Sequence, residues 1–227
     1  GLPIETGMVH KEVRRYDRLG RLIEESYFSA TGQPAMKWMT GDINSRAARF
    51  TQVHDQQGNV IEMQWFDHRG RPRKTAVAMQ RFQYDSLGRR VRFQNFGPDD
   101  EPVVSQAGYA SLRSRYDDRG NLVEESTYGL DGQLVDVGGH ARQTQGHDLQ
   151  GNVVKVEQWN ASGQRVHGWT SVFNENRRLI KQSYLLTSKA PEALGASHVS
   201  TTWEYDRLGR VSMKRYLNGK GAPVAHP

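Results

Sequence analysis

The sequence predicts an all-β chain: about seven tandem antiparallel β-hairpin repeats, fourteen strands in all, forming a long curled or spiralling sheet. A closed barrel or a propeller-like ring is the alternative arrangement of the same units. Three observations lead there. An aromatic ring or His followed by an acid or amide recurs at Tyr16-Asp17, His54-Asp55, Tyr84-Asp85, Tyr116-Asp117, His147-Asp148, Phe173-Asn174 and Tyr205-Asp206, with spacings of 38, 30, 32, 31, 26 and 32 residues. Three residues after the acid stands Gly20, Gly58, Gly88, Gly120, Gly151 or Gly209, with Arg177 as the departure. Eight residues beyond that turn position a large apolar side chain always follows: Phe28, Phe66, Phe96, Tyr128, Trp159, Leu185 and Leu217.

Each element of a unit has its own physical warrant. The units begin near residues 9, 48, 78, 110, 141, 168 and 199 and are read as one repeat domain over 1–227. A first strand ends on the ring of the Tyr-Asp pair, as in Leu112-Arg113-Ser114-Arg115-Tyr116. Asp-x-x-Gly then makes the turn, because Asp bonds to its own backbone two residues on and Gly accepts positive φ. A second strand of about seven residues follows, Leu22–Phe28 in the first unit and Val60–Phe66 in the second. A further turn carries Gly32, Gly70, Gly132, Gly163 and Gly221, with Asp100 and Lys189 in the same place. Two residues later come Pro34, Pro72, Pro102, Pro191 and Pro223, which donate nothing to a ladder. No helix is required, and the best helical candidate, 190–195, is one turn at most. The linker 36–48 is long enough for a bulge or an extra turn, and the sixth unit is degenerate at both turns.

Composition narrows the function classes. With no cysteine there is no disulfide framework, thiolate zinc site or cysteine nucleophile. No apolar run approaches the ~18 residues of a membrane span, and residues 1–5 do not form a signal peptide. A net charge of +6 from 31 basic and 25 acidic residues permits an anionic partner without requiring one. The mean hydropathy of -0.77 suits a thin sheet with many turns.

The segments Tyr16-Asp17-Arg18-Leu19-Gly20-Arg21-Leu22, Tyr84-Asp85-Ser86-Leu87-Gly88-Arg89 and Tyr205-Asp206-Arg207-Leu208-Gly209-Arg210-Val211 resemble the Tyr-Asp (YD) repeats of the RHS class. The period here, about 31 residues, is longer than that class's usual ~20 because of the added Gly-x-Pro half. The resemblance implies a large bacterial surface or secreted protein, toxin-related, whose repeats wrap or present something else and are not catalytic. It implies a secreted, periplasmic or cell-surface location.

Candidate sites read as parts of the repeat. His54-Asp55 and His147-Asp148 occupy the Tyr-Asp slot and are read as structural, not as metal ligands, and the other histidines show no metal spacing. In Glu24-Glu25 and Glu124-Glu125, adjacent strand residues point to opposite faces, so each pair diverges onto solvated faces partnered by Arg. Asp99-Asp100-Glu101 is an acidic turn with a weak calcium claim, and Asn160-Ala161-Ser162 is a sequon in a turn. The basic groups are the stronger lead: Arg69, Arg71, Arg73 and Lys74, then Arg89, Arg90 and Arg92, with Arg21, Arg89, Arg178 and Arg210 recurring after the turn. Trp65, Trp159 and Trp203, with Tyr27, Tyr184 and Tyr216, are read first as packing groups and second as sugar-stacking rings.

The expectation is a scaffold or binding module with no catalytic, cofactor-binding or metal residue. It would engage another protein or another domain of the same polypeptide, with an anionic glycan as a further ligand and nucleic acid not expected. The alternatives are a glycan- or peptidoglycan-binding module and an enzyme sited in the irregular loops 36–48 or 187–199.

Overall fold

The computed structural model describes residues 9–38, 46–74, 77–185 and 199–225. The helical candidate 190–195, almost all of loop 187–199, and residues 39–45 of loop 36–48 lie outside the described residues. Every regular element among the described residues is a strand. Two compact units divide the chain: Gly1–Arg113 with Gly129–Gly132, and Ser114–Tyr128 with Gln133–Pro227.

The first unit carries β1 (Lys11–Tyr16), β2 (Leu22–Phe28), β3 (Lys37–Trp38), β4 (Arg46–Ala47), β5 (Arg49–His54), β6 (Val60–Phe66), β7 (Met79–Tyr84), β8 (Arg90–Phe96) and the start of β9 (Ser111–Tyr116). The second carries the rest of β9, then β10 (Leu122–Tyr128), β11 (Arg142–His147), β12 (Val153–Trp159), β13 (Arg165–Phe173), β14 (Leu179–Tyr184), β15 (Ser200–Tyr205) and β16 (Val211–Leu217). Fourteen of these strands form one antiparallel sheet in which spatial order follows chain order from β1 to β16. The order ends at β16 without returning to β1, so the sheet is open and the barrel and ring alternatives fall away. The remaining pair, β3 with β4, is a separate two-stranded ladder where the sequence suggests a bulge or an extra turn.

Hairpins and junctions differ in length. Within the first hairpin Lys11 pairs with Phe28 and Tyr16 with Leu22, whereas β2 meets β5 at only three pairs, from Glu24↔Thr51 to Ser26↔Arg49. In each slot-bearing hairpin whose register is given, the ladder shifts just before the Tyr-Asp slot, as between Arg15/Tyr16, Val53/His54 and Glu204/Tyr205. Such a bulge re-aims the ring that follows it.

The turns explain why the pattern tolerates its own departures. Asp17 Oδ1 accepts the N–H groups of Leu19 and Arg21 at 2.8 and 2.9 Å, while the Gly20 N–H donates to the Asp17 carbonyl at 3.1 Å. Gly20 sits at φ 78. The two described departures from glycine, Arg177 and Asp100, adopt φ 58 and 64, and they are the positive-φ non-glycine residues among the described residues. At Arg177 the turn is still closed by Asn174 Oδ1, which accepts from Asn176 and Arg178 at 3.1 and 3.0 Å. The local hydrogen bonds, rather than glycine alone, set this conformation.

The buried groups include a set that the repeat alignment does not single out. Ala48, Ala78, Ala110 and Ala141 stand just before the first strand of their units and are buried. The Ala48 N–H donates to Phe66 within its own hairpin, and its carbonyl accepts from Tyr27 of the hairpin before. Ala78 does the same with Phe96 and Trp65, and Ala141 with Trp159 and Thr127. Four of these shared backbone positions hold alanine, and in the seventh unit Val199 makes the same pair of bonds, to Leu217 and from Tyr184. In the sixth unit Gly168, five residues before Phe173, lies where a Cβ would sit 2.9 Å from the Val156 carbonyl. Here β13 also begins early, because the Asn160–Gly163 turn bonds, Gly163 N–H to the Asn160 carbonyl at 3.0 Å, join β12 directly to β13. That accounts for the short 26-residue spacing before Phe173.

Candidate functional site

The Tyr-Asp slot is a structural fastener at both of its residues. Asp17, Asp85 and Asp206 each hold the arginine four residues on, at 2.6 Å for Arg21 Nε and 2.7 Å for Arg89 Nε and Arg210 Nε. Asp55, Asp117 and Asp148 hold Asn59, Asn121 and Asn152 in the same way at 2.9, 2.9 and 2.8 Å. In all six, hydrogen bonding from that fourth residue is the largest cause holding the carboxyl below the ordinary Asp value of 3.8. His54-Asp55 and His147-Asp148 therefore use their acids in turns, and both His Nδ1 atoms are buried without a hydrogen-bond partner.

The ring of the slot reaches the neighbouring hairpin. Tyr84 donates its hydroxyl to the Val60 carbonyl, and Tyr205 to the Leu179 carbonyl, both at 2.8 Å. Each acceptor lies two residues past the turn of the preceding hairpin, so the Tyr of Tyr-Asp ties one unit to the one before it. Burial pushes the Tyr84 phenol upward.

The charged leads are spent locally in most places. In the first basic cluster Arg71 pairs with Asp67 at 3.0 Å and Arg73 is buried, and in the second Arg89 pairs with Asp85. Arg90 lies over the Phe82 and Phe93 rings at 5.7 and 5.3 Å. Asp100 is taken by Arg81 at 2.8 Å, and Glu101 accepts the Asp99 N–H, which uses up the acidic turn. Asn160 accepts from Ser162 and Gln164 at 2.8 Å each, so the sequon amide is engaged in its turn. Among the described residues no group of three or more His, Asp or Glu is placed to hold a metal.

Glu25 departs from the solvated face expected for it. It is buried beside Tyr27, and Arg14 Nε donates to it at 3.2 Å. Burial opposes its charge, but the hydrogen bonds and charges of Arg14, Tyr27 and Lys37 prevail and hold its carboxyl below the ordinary range. Burial and then the Glu25 charge push the Tyr27 phenol strongly upward. Glu24, on the opposite face, pairs with Arg49 at 3.2 Å, as the strand alternation requires.

Several of the large rings, Trp159, Trp203 and Tyr216 among the aromatic leads, lie under cations. Arg49 lies over Phe66 at 4.0 Å, Arg81 over Phe96 at 4.6 Å and Arg142 over Trp159 at 5.2 Å. Lys214 lies over Trp203 and Tyr216, and His167 meets Tyr184 at 6.2 Å. Trp159 Nε1 is buried without a hydrogen-bond partner. One shallow depression of about 470 Å³ opens in the first unit between Arg15, Asp17, Arg21, Glu24 and His54. Its walls are self-neutralising: Arg21 serves Asp17 and the Asp55 carbonyl, and Arg15 lies 3.9 Å from Glu24. This constellation is invisible in the sequence because its residues come from different hairpins.

No protein-family profile and no curated protein matches the chain. Solved structures do. The chain is similar to the TcdB2-TccC3-TEV crystal structure at 12% identity and a TM-score of 0.44, covering 93% of this chain and 12% of that one. It is similar to the Photorhabdus luminescens Tc holotoxin pore with a mutated TccC3 at 11% identity and a TM-score of 0.44, over 91% of this chain and 12% of that one. The TcdB2-TccC3 crystal structure follows at 14% and 0.42, over 90% and 10%. These neighbours are Tc toxin components, and the chain spans about a tenth to an eighth of their length.

Proposed function

We propose that this chain is a non-enzymatic β-repeat scaffold or binding module of a larger, exported, toxin-related bacterial protein of the YD-repeat kind. Its partner is another protein or another domain of the same polypeptide. One observation carries the reading: each recurrent acid of the Tyr-Asp slot is consumed by its own turn, and the slot tyrosines Tyr84 and Tyr205 bond to the neighbouring hairpin. The most regular polar residues of the sequence thus build the sheet. Catalytic groups, by contrast, need free functional atoms converging on one point. The Tyr-Asp resemblance of the sequence supports the same reading.

The test uses the full-length gene product. Hydrogen exchange of that polypeptide, compared with the isolated 227-residue chain, should show added protection on strands of this region from the remainder of the protein. A hydrolytic or transfer activity of the isolated chain, abolished by one substitution that leaves its melting unchanged, would overturn the proposal.

A further inference from the structure

We propose that the row of Asp-x-x-Gly turns is a lipid-contacting edge: exposed leucines at alternate turn tips, with arginines beside them, seat the chain on an anionic membrane surface. The proposal goes beyond the scaffold reading and does not rest on it.

Leu19, Leu87, Leu149 and Leu208 are 75, 71, 80 and 76% exposed, and no other large apolar side chain among the described residues exceeds 60%. All four sit inside Asp-x-x-Gly turns, in the first, third, fifth and seventh hairpins. The turns do not need these side chains. Leu19, Leu87 and Leu208 donate their backbone N–H to the turn Asp at 2.8, 3.0 and 2.9 Å, and Arg119 and Asn176 make the equivalent bond in their own turns. The second, fourth and sixth hairpins turn instead on Gln56-Gln57, Asp118-Arg119 and Glu175-Asn176. A solitary exposed leucine is ordinary. Here the four most exposed share one kind of turn, and Leu87 and Leu149 belong to hairpins flanked by strands on both sides.

Within each compact unit the turns touch one another in a row. In the first, Arg21 Nη1 donates to the Asp55 carbonyl at 2.8 Å, and a Cβ on Gly88 would meet Asn59 Oδ1 at 3.6 Å. In the second, a Cβ on Gly151 would meet Asn121 Oδ1 at 3.5 Å, Arg177 Nε donates to Asn152 Oδ1 at 3.3 Å, and Arg178 lies against Gly209. Leu19 and Leu87 thus stand two hairpins apart on one row, four strand spacings or about 19 Å, with exposed Gln56 and Gln57 between them.

Spacing and charge together point to lipid. A protein hot spot gathers its apolar groups at one centre, which single leucines about 19 Å apart do not form. A bilayer needs no shaped pocket: each tip enters the acyl boundary by itself, and the polar turns between rest among headgroups. Exposed Arg18 and Arg207 directly precede Leu19 and Leu208, and exposed Arg90 follows Leu87 by three residues. Arg119 and Arg177 bracket the Leu149 turn, donating to the Asp148 and Gln150 carbonyls at 3.3 Å each. The acids Asp17, Asp85 and Asp206 of the other three leucine turns are each paired with an arginine. The exposed acids Asp118 and Glu175 stand on turns without leucine. Arginines so placed lay their stems along the apolar boundary and reach lipid phosphates with their heads.

The experiment is flotation of the full chain with vesicles of phosphatidylcholine and phosphatidylserine in equal parts. The chain should float with these vesicles, and less with phosphatidylcholine alone. Leu19→Gln and Leu87→Gln should each weaken partitioning about fivefold. Glutamine already holds that place at Gln57, so the turn persists. Leu130→Gln, in the Gly129–Gly132 turn of the other row and 60% exposed, should leave partitioning unchanged. Arg18→Gln should weaken it about fivefold on the anionic vesicles. Because the chain has no cysteine, Leu87→Cys and Leu130→Cys each accept a single environment-sensitive dye. The dye at 87 should shift to the blue on vesicles, and the dye at 130 should not. A wild-type chain that does not float with the anionic vesicles overturns the proposal. Flotation that Leu19→Gln and Leu87→Gln leave unchanged also overturns it, since that marks general attraction of a +6 chain. So does a dye at 87 that keeps its spectrum in water when the chain is bound.

Discussion

Replacing the slot tyrosines by phenylalanine separates a fastening role from a merely apolar one. Tyr84→Phe removes a 2.8 Å bond to the Val60 carbonyl, and Tyr205→Phe removes the equivalent bond to Leu179. The ring and its packing stay. One part-buried hydrogen bond contributes about 1 kcal/mol net, and leaving its acceptor unpaired carries the loss to about 1–3 kcal/mol. Tyr16→Phe is the internal control, because that ring ends β1 and is 56% exposed. Its cost in dilute solution should be near zero. With a urea slope of about 2 kcal/mol/M, Tyr84→Phe and Tyr205→Phe should each move the midpoint down by about 0.5–1.5 M. Equilibrium urea titrations followed by far-ultraviolet circular dichroism measure this directly. Equal losses for all three variants, or no loss for Tyr84→Phe and Tyr205→Phe, would refute the claim that the slot tyrosine joins units.

Acid should unfold the chain through its turns. The carboxyls of Asp17, Asp55, Asp85, Asp117, Asp148 and Asp206 are lower in the folded state than their ordinary 3.8, so their stabilisation is complete above that value and is lost as pH falls below it. Melting temperature against pH should fall below about 4, and a flat profile down to pH 2 would contradict the assignment. Gly120→Val should destabilise by about 2 kcal/mol or more, since φ is 88 there and a β-branched side chain resists that conformation, whereas near-wild-type melting would mean the turn is misassigned. Ala78→Leu should cost about 1–3 kcal/mol by overpacking a fully buried position shared by two hairpins, read from the same urea titrations. Arg49→Ala should cost about 1 kcal/mol, because it strips both the Phe66 ring and Glu24 of a partner, with the loss reduced at high salt.

Local chemistry was legible in the sequence where each residue acts on its own neighbourhood. The strands at 22–28 and 60–66 fall on the expected residues because Asp-x-x-Gly fixes where a hairpin turns. Arg177 and Asp100 broke the glycine pattern without breaking the turn, which Asn174 closes by Asx bonding at Arg177 and the Asp100 N–H closes onto the Gly97 carbonyl. What depends on two hairpins at once was not legible. Alanine at 48, 78, 110 and 141 looks like a minor apolar residue until the two hydrogen bonds of its peptide groups are traced to different strands. The pairing of Glu25 with Arg14, and the seat of Arg49 over Phe66, follow from register, which a periodic sequence constrains only by parity.

The unequal ladders have a mechanical consequence. A hairpin such as β5 with β6 is held from Arg49↔Phe66 to His54↔Val60, but its seam with β7 spans only Glu62↔Arg81 to Gln64↔Met79. Under a pulling force, seams of three pairs give way before hairpins of twice that length. The chain would give way one seam at a time, each released hairpin still folded, so that tension is relieved through the segments connecting hairpins rather than by wholesale rupture.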